Sequence, residues 1–493
     1  MKRIAVACIL LSTSVVAFAL DWDDPFATGR LPRPTALGSI AAADNSACSA
    51  EMPDGAALSL AEVVDRVLCR NPRTHEAWAN ARVQAAEVGV ARAAYLPSIN
   101  ATAGIEHNRT SGGNRGNFGS FGGTTGGESS TGNFRSGSSD YNQVSAGVGL
   151  SYLLYDFGGR DAALENARQL FEAANATQDN VVQGLFFSAI QGYYQVNAAQ
   201  AAVASALEAE RSSKASLDAA TARYQVGVGT PADRLQAQTA HSQAVLDRIR
   251  AEGTLRNARG TLANLMGMDA HRSFTLQPAA DTPATEQFQA NVGELIAEAR
   301  KRRPDLAAAE AQVAAAQAGI ASARAAGKPS ISVSTDLAYL NRESSDASRS
   351  GGIGLNVTIP LFTGFANTYR IRSATEQAEA RKAARDQLAL QIALDVWQAY
   401  QNLQTETQSV QTSVDLVASA TQNADVALGR YKAGVGNIID VITAQAALAS
   451  ARAQRIQARF NWDIARAGLA YSMGRLDDVA ADTRSPLSSE SQQ

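Results

Sequence analysis

Two aspartates follow the same glycine-containing sequence at distant points of the chain. The stretch RYQVGVGTPAD ends at Asp233, and RYKAGVGNIID ends at Asp440, 207 positions later. An aspartate in the first turn of a helix can accept hydrogen bonds from free backbone N–H groups, and it is stabilised by the positive end of the helix dipole. Carboxylates that an oligomer gathers around one axis would instead attract cations. The residues themselves leave both interpretations open.

Other residues that could take part in catalysis or metal binding do not form a pattern typical of either. The four histidines lack the spacing of a metal site or a catalytic triad, and they are His75, His107, His241 and His271. The chain has no P-loop and no G-x-S-x-G sequence. A net charge of −3 is not that of a nucleic-acid-binding protein. We therefore expect neither an enzyme nor a cofactor site, and no nucleic-acid partner.

The first residues have the composition of a signal peptide. Lys2 and Arg3 precede an apolar run over 4–18, and Ala-Phe-Ala at 17–19 is a typical cleavage site. Cys8 lies inside this segment and is expected to leave with it. No later window is apolar enough for a transmembrane helix. The sequence therefore predicts an exported protein.

Two cysteines would remain after export. Because thiols in an oxidising compartment usually pair, we expect a disulfide between Cys48 and Cys69. It would close a loop of about 20 residues and contribute roughly 3 kcal/mol in the chain-entropy model. The alternative is that Cys69 is a small apolar residue on a helix and Cys48 lies in a flexible arm.

The chain contains one unit twice. Asn71-Pro72 and Arg303-Pro304 are 232 positions apart, whereas Tyr224 and Tyr431 are 207 apart, so the first copy is longer. The extra residues form a tract rich in Gly, Ser and Asn, which predicts a flexible loop over 107–141. The expected organisation is a signal peptide over 1–19, an N-terminal arm over 20–57, a first repeat over 58–267, a linker over 268–291, a second repeat over 292–474 and a flexible tail over 475–493.

Each copy contains a predicted β-hairpin, at 97–155 and at 329–362. Apolar and polar residues alternate, as in SISVSTDLAYL and GIGLNVTIPLF, and strands of about ten residues match the length of a transmembrane β-strand. Four strands cannot close a membrane barrel, and an open edge leaves backbone groups unsatisfied in lipid. Three copies would supply twelve strands, so we expect a homotrimer.

A long helix follows each hairpin, over 159–226 and 366–433, and shorter helices over 231–267 and 438–473 run back from its end. Proline is missing from the long segments, and helix-forming Ala, Gln, Glu, Arg and Leu dominate them. At 1.5 Å per residue each would be about 100 Å long, which requires packing against other helices. Glycines at 227, 229, 434 and 436 would end the long helices and reverse the chain.

These features resemble the TolC family of outer-membrane channels. The motifs are the doubled RY..GVG....D turns, YLPS at Tyr95–Ser98, IPLFTG at Ile359–Gly364 and LCRNP at Leu68–Pro72. The resemblance implies a mainly α fold with a membrane β-barrel part, in which a trimer forms a twelve-stranded barrel in outer-membrane lipid and an α-helical barrel across the periplasm. It also implies a periplasmic adaptor protein and an inner-membrane ABC or RND pump as partners. The implied adaptor contacts are the helix tips, at Gly227, Gly229, Thr230, Gly434, Gly436 and Asn437.

The resemblance also assigns a periplasmic gate. Tyr431 takes the place of the family's gate tyrosine, Asp233 that of its carboxylate partner, and Asp440 that of an aperture aspartate. Two positions depart from the pattern, because Gly436 replaces an arginine and Thr443 replaces a second aspartate. The resemblance therefore implies that the contacts that close the gate are weaker here than in the family pattern. It also implies one ring of aperture aspartates instead of two.

Three functions fit these observations. The first is the outlet of a type I protein secretion system, favoured because LCRNP is similar to the haemolysin and cyclolysin export branch and because the chain lacks a lipid-anchor cysteine. The second is an outlet for multidrug or metal-ion efflux. The third is a periplasmic coiled-coil structural protein, which the four alternating strands disfavour.

Overall fold

A computed structural model describes residues 23–32, 57–110, 139–279, 291–343 and 345–476. A short 3-10 turn at Thr28–Arg30 comes first in this part of the chain. The helices are α1 (Leu60–Arg70), α2 (Pro72–Ala93), α3 (Gly159–Gln225), α4 (Pro231–Leu265), α5 (Val292–Arg302), α6 (Pro304–Ala325), α7 (Ala366–Lys432) and α8 (Ile438–Ser472). The strands are β1 (Ala57–Leu58), β2 (Ser98–Thr110), β3 (Ser139–Tyr155), β4 (Thr275–Leu276), β5 (Ser330–Arg342) and β6 (Ser345–Thr358).

Two long helices dominate the described residues. Helices α3 and α7 have 67 residues each, and each ends one residue before the predicted boundary. Two residues after each helix end lies a glycine in the left-handed region, Gly227 with φ 81° and Gly434 with φ 78°. The amide of Val228 then donates to the carbonyl of Arg223 at 3.0 Å, and that of Val435 donates to Arg430 at 3.0 Å. The chain reversal predicted from the repeated glycines is therefore formed by the same backbone geometry twice.

The returning helices α4 and α8 have 35 residues each and end slightly earlier than predicted. The predicted ends at 267 and 473 fall in the turns that follow, where Gly267 and Gly474 have φ 71° and 69°. At Gly267 an added Cβ would lie 2.7 Å from the carbonyl oxygen of Arg70. A close backbone approach therefore explains the glycine at this position.

Two short amphipathic helices, α1 and α5, were not predicted as separate elements. Helix α1 begins with a capping box in which Ser59 and Glu62 satisfy each other's backbone amides. It buries Val63 and Val67 in the main core of the protein, next to Leu262 and Met266. The LCRNP segment therefore joins two helices, and its Pro72 is the first residue of α2.

The segments predicted as linker and tail contribute to the main core. Strand β4 pairs in parallel with β1, and the hydroxyl of Tyr193 donates to the carbonyl of Gln277 at 2.8 Å. Phe274 and Leu276 are buried, so the interpretation of 268–291 as a simple linker is wrong for its described part. Leu476 is also fully buried, so a flexible tail cannot begin at 475. Residues 477–493 lie outside the described part of the chain.

The other strands form one antiparallel sheet in the order β2-β3-β5-β6. The pairing of Ser98 with Ser151 and of Ser330 with Thr358 sets the register of the two hairpins. Apolar side chains that alternate along the strands are exposed in the single chain, among them Ile99, Ile105, Ile353 and Leu355. The pairs between 107–110 and 139–142 show that the strands extend into both ends of the loop predicted over 107–141, and the rest of that prediction lies outside the described residues.

The chain divides into two compact units. One takes the described residues of 1–87, 168–315 and 379–493, and it contains the main core and both helix reversals. The other takes the described residues of 88–167 and 316–378, and it contains the four-stranded sheet. Among the described residues, no helix is both long and apolar enough to cross a membrane.

Candidate functional site

The first reversal places Asp233 in the opening turn of α4. Thr230 is the N-cap, and its hydroxyl accepts a hydrogen bond from the Asp233 amide at 3.1 Å. In return the Asp233 carboxylate accepts from the Thr230 amide at 3.2 Å. Both partners of this capping box satisfy backbone donors that the helix itself cannot. The carboxylate of Asp233 is therefore occupied by its own helix end.

The second reversal leaves the equivalent carboxylate free. Asn437 is the N-cap of α8, and its side-chain oxygen accepts from the amides of Ile439 and Asp440. Asp440 is exposed, and its carboxylate has no hydrogen bond or ion pair within the described residues. The helix-capping explanation therefore holds for Asp233 but not for the Asp440 side chain.

Tyr431 lies at the end of α7 and is buried, with 6% of its surface exposed. It forms a cluster with Ala220 of α3, Ala237 of α4, and Ile438 and Val441 of α8. Burial raises the pKa of the Tyr431 hydroxyl, Arg223 opposes the rise, and Asp233 adds to it. Tyr431 therefore stays neutral and packs between the two helical hairpins.

Arg223 contacts Tyr431, and this is the main contact that the sequence analysis did not predict. Its guanidinium donates to the backbone carbonyl of Tyr431 at 2.8 Å and stacks on the Tyr431 ring, 4.9 Å from the centroid. The predicted hydrogen bond between the Tyr431 hydroxyl and Asp233 is not formed in the described residues, and the Asp233 carboxylate accepts from the Thr230 amide. The doubled Arg-Tyr sequence was the only signal of the Arg223 contact.

A polar contact supports this junction about two to three helical turns before Arg223 on α3. The side-chain amide of Gln445 on α8 donates to the hydroxyls of Ser212 at 2.9 Å and Ser216 at 3.0 Å, both on α3. Together with the contact of Arg223 with Tyr431, these bonds join the first hairpin to the second within one chain.

The glycines at the tips have different roles. Gly227 and Gly434 supply the positive φ. An added Cβ at Gly229 or Gly436 would instead lie 3.0 Å from the backbone nitrogen of Tyr224 or Tyr431. Tight packing against the preceding helix end therefore accounts for glycine at 229 and 436. Between the glycines, Val228 and Val435 are 65% and 70% exposed.

The structure describes one of the two cysteines that were predicted to pair. Cys69 is disulfide-bonded; Cys48 lies outside the described residues, so the pairing of the two stays a prediction. In the described part of the chain, no three His, Cys, Asp or Glu side chains are grouped in a way that could hold a metal ion.

Comparison with known proteins agrees with this architecture. The model of the outer membrane efflux protein family matches residues 63–268 and 295–475. Protein CyaE of Bordetella pertussis is 32% identical over 406 residues, which cover 81% of this chain and 80% of that protein. Outer membrane protein TolC of Vibrio cholerae is 26% identical over 440 residues, covering 85% of this chain and 91% of that protein.

The fold is also that of a solved structure, the outer-membrane channel OprN. The TM-score is 0.71 at 21% sequence identity, over 84% of this chain and 89% of OprN. Four strands that do not close within one chain agree with a barrel completed by several copies. Proteins of this group are outer-membrane transport ducts that extend into the periplasm, and they are not enzymes. The chain belongs to the outer membrane efflux protein family, the TolC family that its repeated motifs resemble.

Proposed function

We propose that three copies of the chain form the exit duct of a tripartite export machine that carries out type I protein secretion. The four-stranded sheet with two free edges is the observation on which this proposal depends. Strands β2 and β6 are the edges of the sheet, and in lipid their free backbone groups would be unsatisfied. Pairing β2 of one copy with β6 of the next closes a barrel of twelve strands.

Electrophoresis tests the trimer. The unheated protein in mild detergent should migrate at about three times the mass of one chain, and heating should convert it to the monomer. A protein that stays monomeric in membranes before heating would contradict the closed barrel.

The partners we propose are a periplasmic adaptor and an inner-membrane ABC or RND pump, because the chain contains no nucleotide-binding motif to supply energy. The exposed Val228 and Val435 support an adaptor contact at the helix tips, since apolar side chains at an exposed turn favour a protein partner. Val228→Asp combined with Val435→Asp should abolish co-purification of the adaptor but leave the trimer intact. Unchanged co-purification would place the adaptor contact elsewhere.

The resemblance of the LCRNP segment to the haemolysin and cyclolysin export branch supports type I secretion over efflux. In the structure, Asn71 of this segment caps the start of α2 through the amide of Arg73 at 3.0 Å and also donates to the carbonyl of Leu265 at 2.9 Å. The segment therefore ties α1, α2 and the end of α4 together.

A gene deletion distinguishes secretion from multidrug or metal-ion efflux, which the family's description favours as the second candidate. Under type I secretion, the deletion strain loses one or a few proteins from the culture supernatant and keeps its tolerance of dyes, detergents and divalent metals. Complementation with the gene restores the secreted proteins. An unchanged supernatant together with increased sensitivity would favour efflux.

A further inference from the structure

The two Arg-Tyr pairs that end the long helices are equivalent in sequence but differ in their surroundings. Arg223 contacts Tyr431 through a stacked guanidinium and a hydrogen bond. The reciprocal residues, Arg430 and Tyr224, make no such contact. Arg430 is exposed and has no hydrogen bond, ion pair or ring contact within the described residues, and Tyr224 is 38% exposed, compared with 6% for Tyr431.

Tyr431 shows the complete arrangement. Its ring packs with Val441 of its own hairpin and is covered by the guanidinium of Arg223 from the other hairpin. Its backbone carbonyl accepts two hydrogen bonds, from the amide of Gly434 at 3.1 Å and from Arg223 at 2.8 Å. Arg223 of the neighbouring hairpin thus stacks on the Tyr431 ring and also donates to the second lone pair of the Tyr431 backbone carbonyl.

Tyr224 has only the part of this arrangement that its own hairpin supplies. Arg234, which is equivalent to Val441, lies with its guanidinium 5.0 Å from the Tyr224 ring centroid. The Tyr224 carbonyl accepts from the amide of Gly227 at 3.1 Å, and no second donor reaches it in the described part of the chain. What is missing is an arginine from a neighbouring second hairpin.

A ring of three chains would alternate first and second hairpins. Followed in one direction around the ring, each first hairpin contacts the second hairpin of its own chain. Each second hairpin then contacts the first hairpin of the next chain. We infer that Arg430 of one protomer stacks on Tyr224 of the partner subunit and donates to the backbone carbonyl of that tyrosine. Six arginine–tyrosine contacts then join the hairpin tips, and the inference rests on the proposed trimer.

Paired cysteines test the contact. The test variant carries Arg430→Cys and Tyr224→Cys, and the matched control carries Arg223→Cys and Tyr431→Cys. A short bismaleimide is added to trimers in membranes, and Cys69 does not react because it is disulfide-bonded. After denaturation, the test variant should give covalent dimers and trimers. The control should remain a monomer, with its cross-link inside one chain as shown by peptide mapping.

The outcomes separate this inference from the proposed function. If the unheated protein is trimeric and the control pair links inside the chain, but the test pair gives monomers only, the inference is wrong and the proposed trimer stands. If no unheated trimer forms, the proposed function fails and the inference fails with it.

Channel recordings provide a second test that needs no cysteine. Because a cation–π contact near the surface is weak, Arg430→Ala should raise the resting open probability about threefold. Arg223→Ala should raise it at least as much, because the contact that it removes is with the buried Tyr431. Tyr224→Leu removes the ring but keeps the backbone carbonyl, so it should weaken the effect of Arg430→Ala and leave that of Arg223→Ala unchanged. If the effects of Tyr224→Leu and Arg430→Ala simply multiply, the two side chains act independently and the inference is overturned.

Discussion

The identity of the capping residue decides which aspartate is free at the helix tips. Thr230 accepts one amide hydrogen bond and leaves its own amide to the Asp233 carboxylate. Asn437 reaches two amides with its side-chain oxygen, and the Asp440 carboxylate is not used. One difference in cap chemistry thus separates two residues that occupy equivalent positions in the repeat.

Asp440→Asn should therefore change the cation selectivity of the channel but not the stability of the trimer. Three copies of the free carboxylate around the trimer axis would focus a negative field at the aperture and favour cations. The expected result in planar bilayers is reduced cation selectivity, with the melting temperature of the trimer nearly unchanged. A lower melting temperature with unaltered selectivity would show that Asp440 has a structural role and would exclude its role in the pore.

Asp233→Asn is the matched control, and its expected effect is the opposite. The substitution removes the charged acceptor of the Thr230 amide near the positive end of α4, which should cost about 1 kcal/mol of stability. The thermal midpoint should fall, and cation selectivity should change less than in Asp440→Asn. Equal changes in selectivity for the two variants would contradict the assignment of different tasks.

Gly267 is the glycine whose substitution should be most damaging. Its φ of 71° disfavours any side chain, and an added Cβ would lie 2.7 Å from the Arg70 carbonyl oxygen. Gly267→Ala should cost at least about 2 kcal/mol, from the left-handed backbone and the displaced contact. Gly253, inside α4 with open space around it, is the control. Gly253→Ala should stabilise the helix by about 0.5 kcal/mol or more, and thermal melting that ranks the variants in reverse would contradict the explanation.

At the scale of elements, Arg160 fastens the end of strand β3 to the start of α3. The register of β3 against β5 shifts between Leu153 and Tyr155, and such a bulge frees backbone carbonyls from the ladder. The Arg160 guanidinium donates to the carbonyls of Leu153 at 2.7 Å and Leu154 at 3.1 Å, and it stacks on Tyr95 at 4.9 Å. One planar fork thus satisfies both carbonyls at the irregularity.

Arg160→Lys should show whether the fork or the charge matters. Lysine keeps the positive charge but cannot donate to two carbonyls in the same fixed geometry. The trimer of Arg160→Lys should dissociate at a lower temperature on heat-modified gels, nearly as low as that of Arg160→Ala. If Arg160→Lys behaves like the unsubstituted protein, charge alone holds the strand end.

The sequence predicted the long elements well because their signals are strong and local. An uninterrupted run of helix formers between glycines located α3 and α7 to within one residue at each end. The alternating strands were equally clear. The 11-residue helices α1 and α5 were missed because they are short and adjoin longer helices across a proline.

Features that depend on tertiary contacts were beyond local patterns. Strands β1 and β4 have two residues each and exist because they pair with each other from 218 positions apart. Leu476 follows the last helix and is buried only because the core is assembled around it. At the candidate site, the residue types predicted both turns and the capping role of Asp233, whereas the role of Arg223 required the two hairpins to be placed side by side.

At the scale of the molecule, the two helix tips share a backbone conformation but differ in the side chains around them. Gly227 and Gly434 adopt the same φ, and Thr230 and Asn437 begin equivalent helices. The side chains around each helix tip nevertheless differ, with Val441 buried where the first repeat has Arg234. Such a difference is expected if one junction forms inside the chain and the other between copies.

One partly buried tyrosine, Tyr194, should contribute to a loss of stability of the whole protein in alkali. Burial raises the pKa of Tyr194 to about 12, and the negative charge of Asp463 adds to the effect. Below pH 10 the hydroxyl is protonated in both the folded and unfolded chains. Between pH 10 and about 12 only the unfolded chain loses the proton, so stability declines by up to roughly 3 kcal/mol.

Thermal unfolding from pH 8 to pH 12 measures this decline, with Tyr194→Phe as the control. The variant keeps the ring that packs near Tyr193 and Phe460 but has no proton to lose. Lysines and the other tyrosines titrate in both proteins, so the difference between the two curves isolates Tyr194. The curves should run together up to about pH 10 and then separate, with the unsubstituted protein losing stability faster. Curves that stay parallel to pH 12 would show that Tyr194 ionises as readily in the folded chain as in the unfolded one.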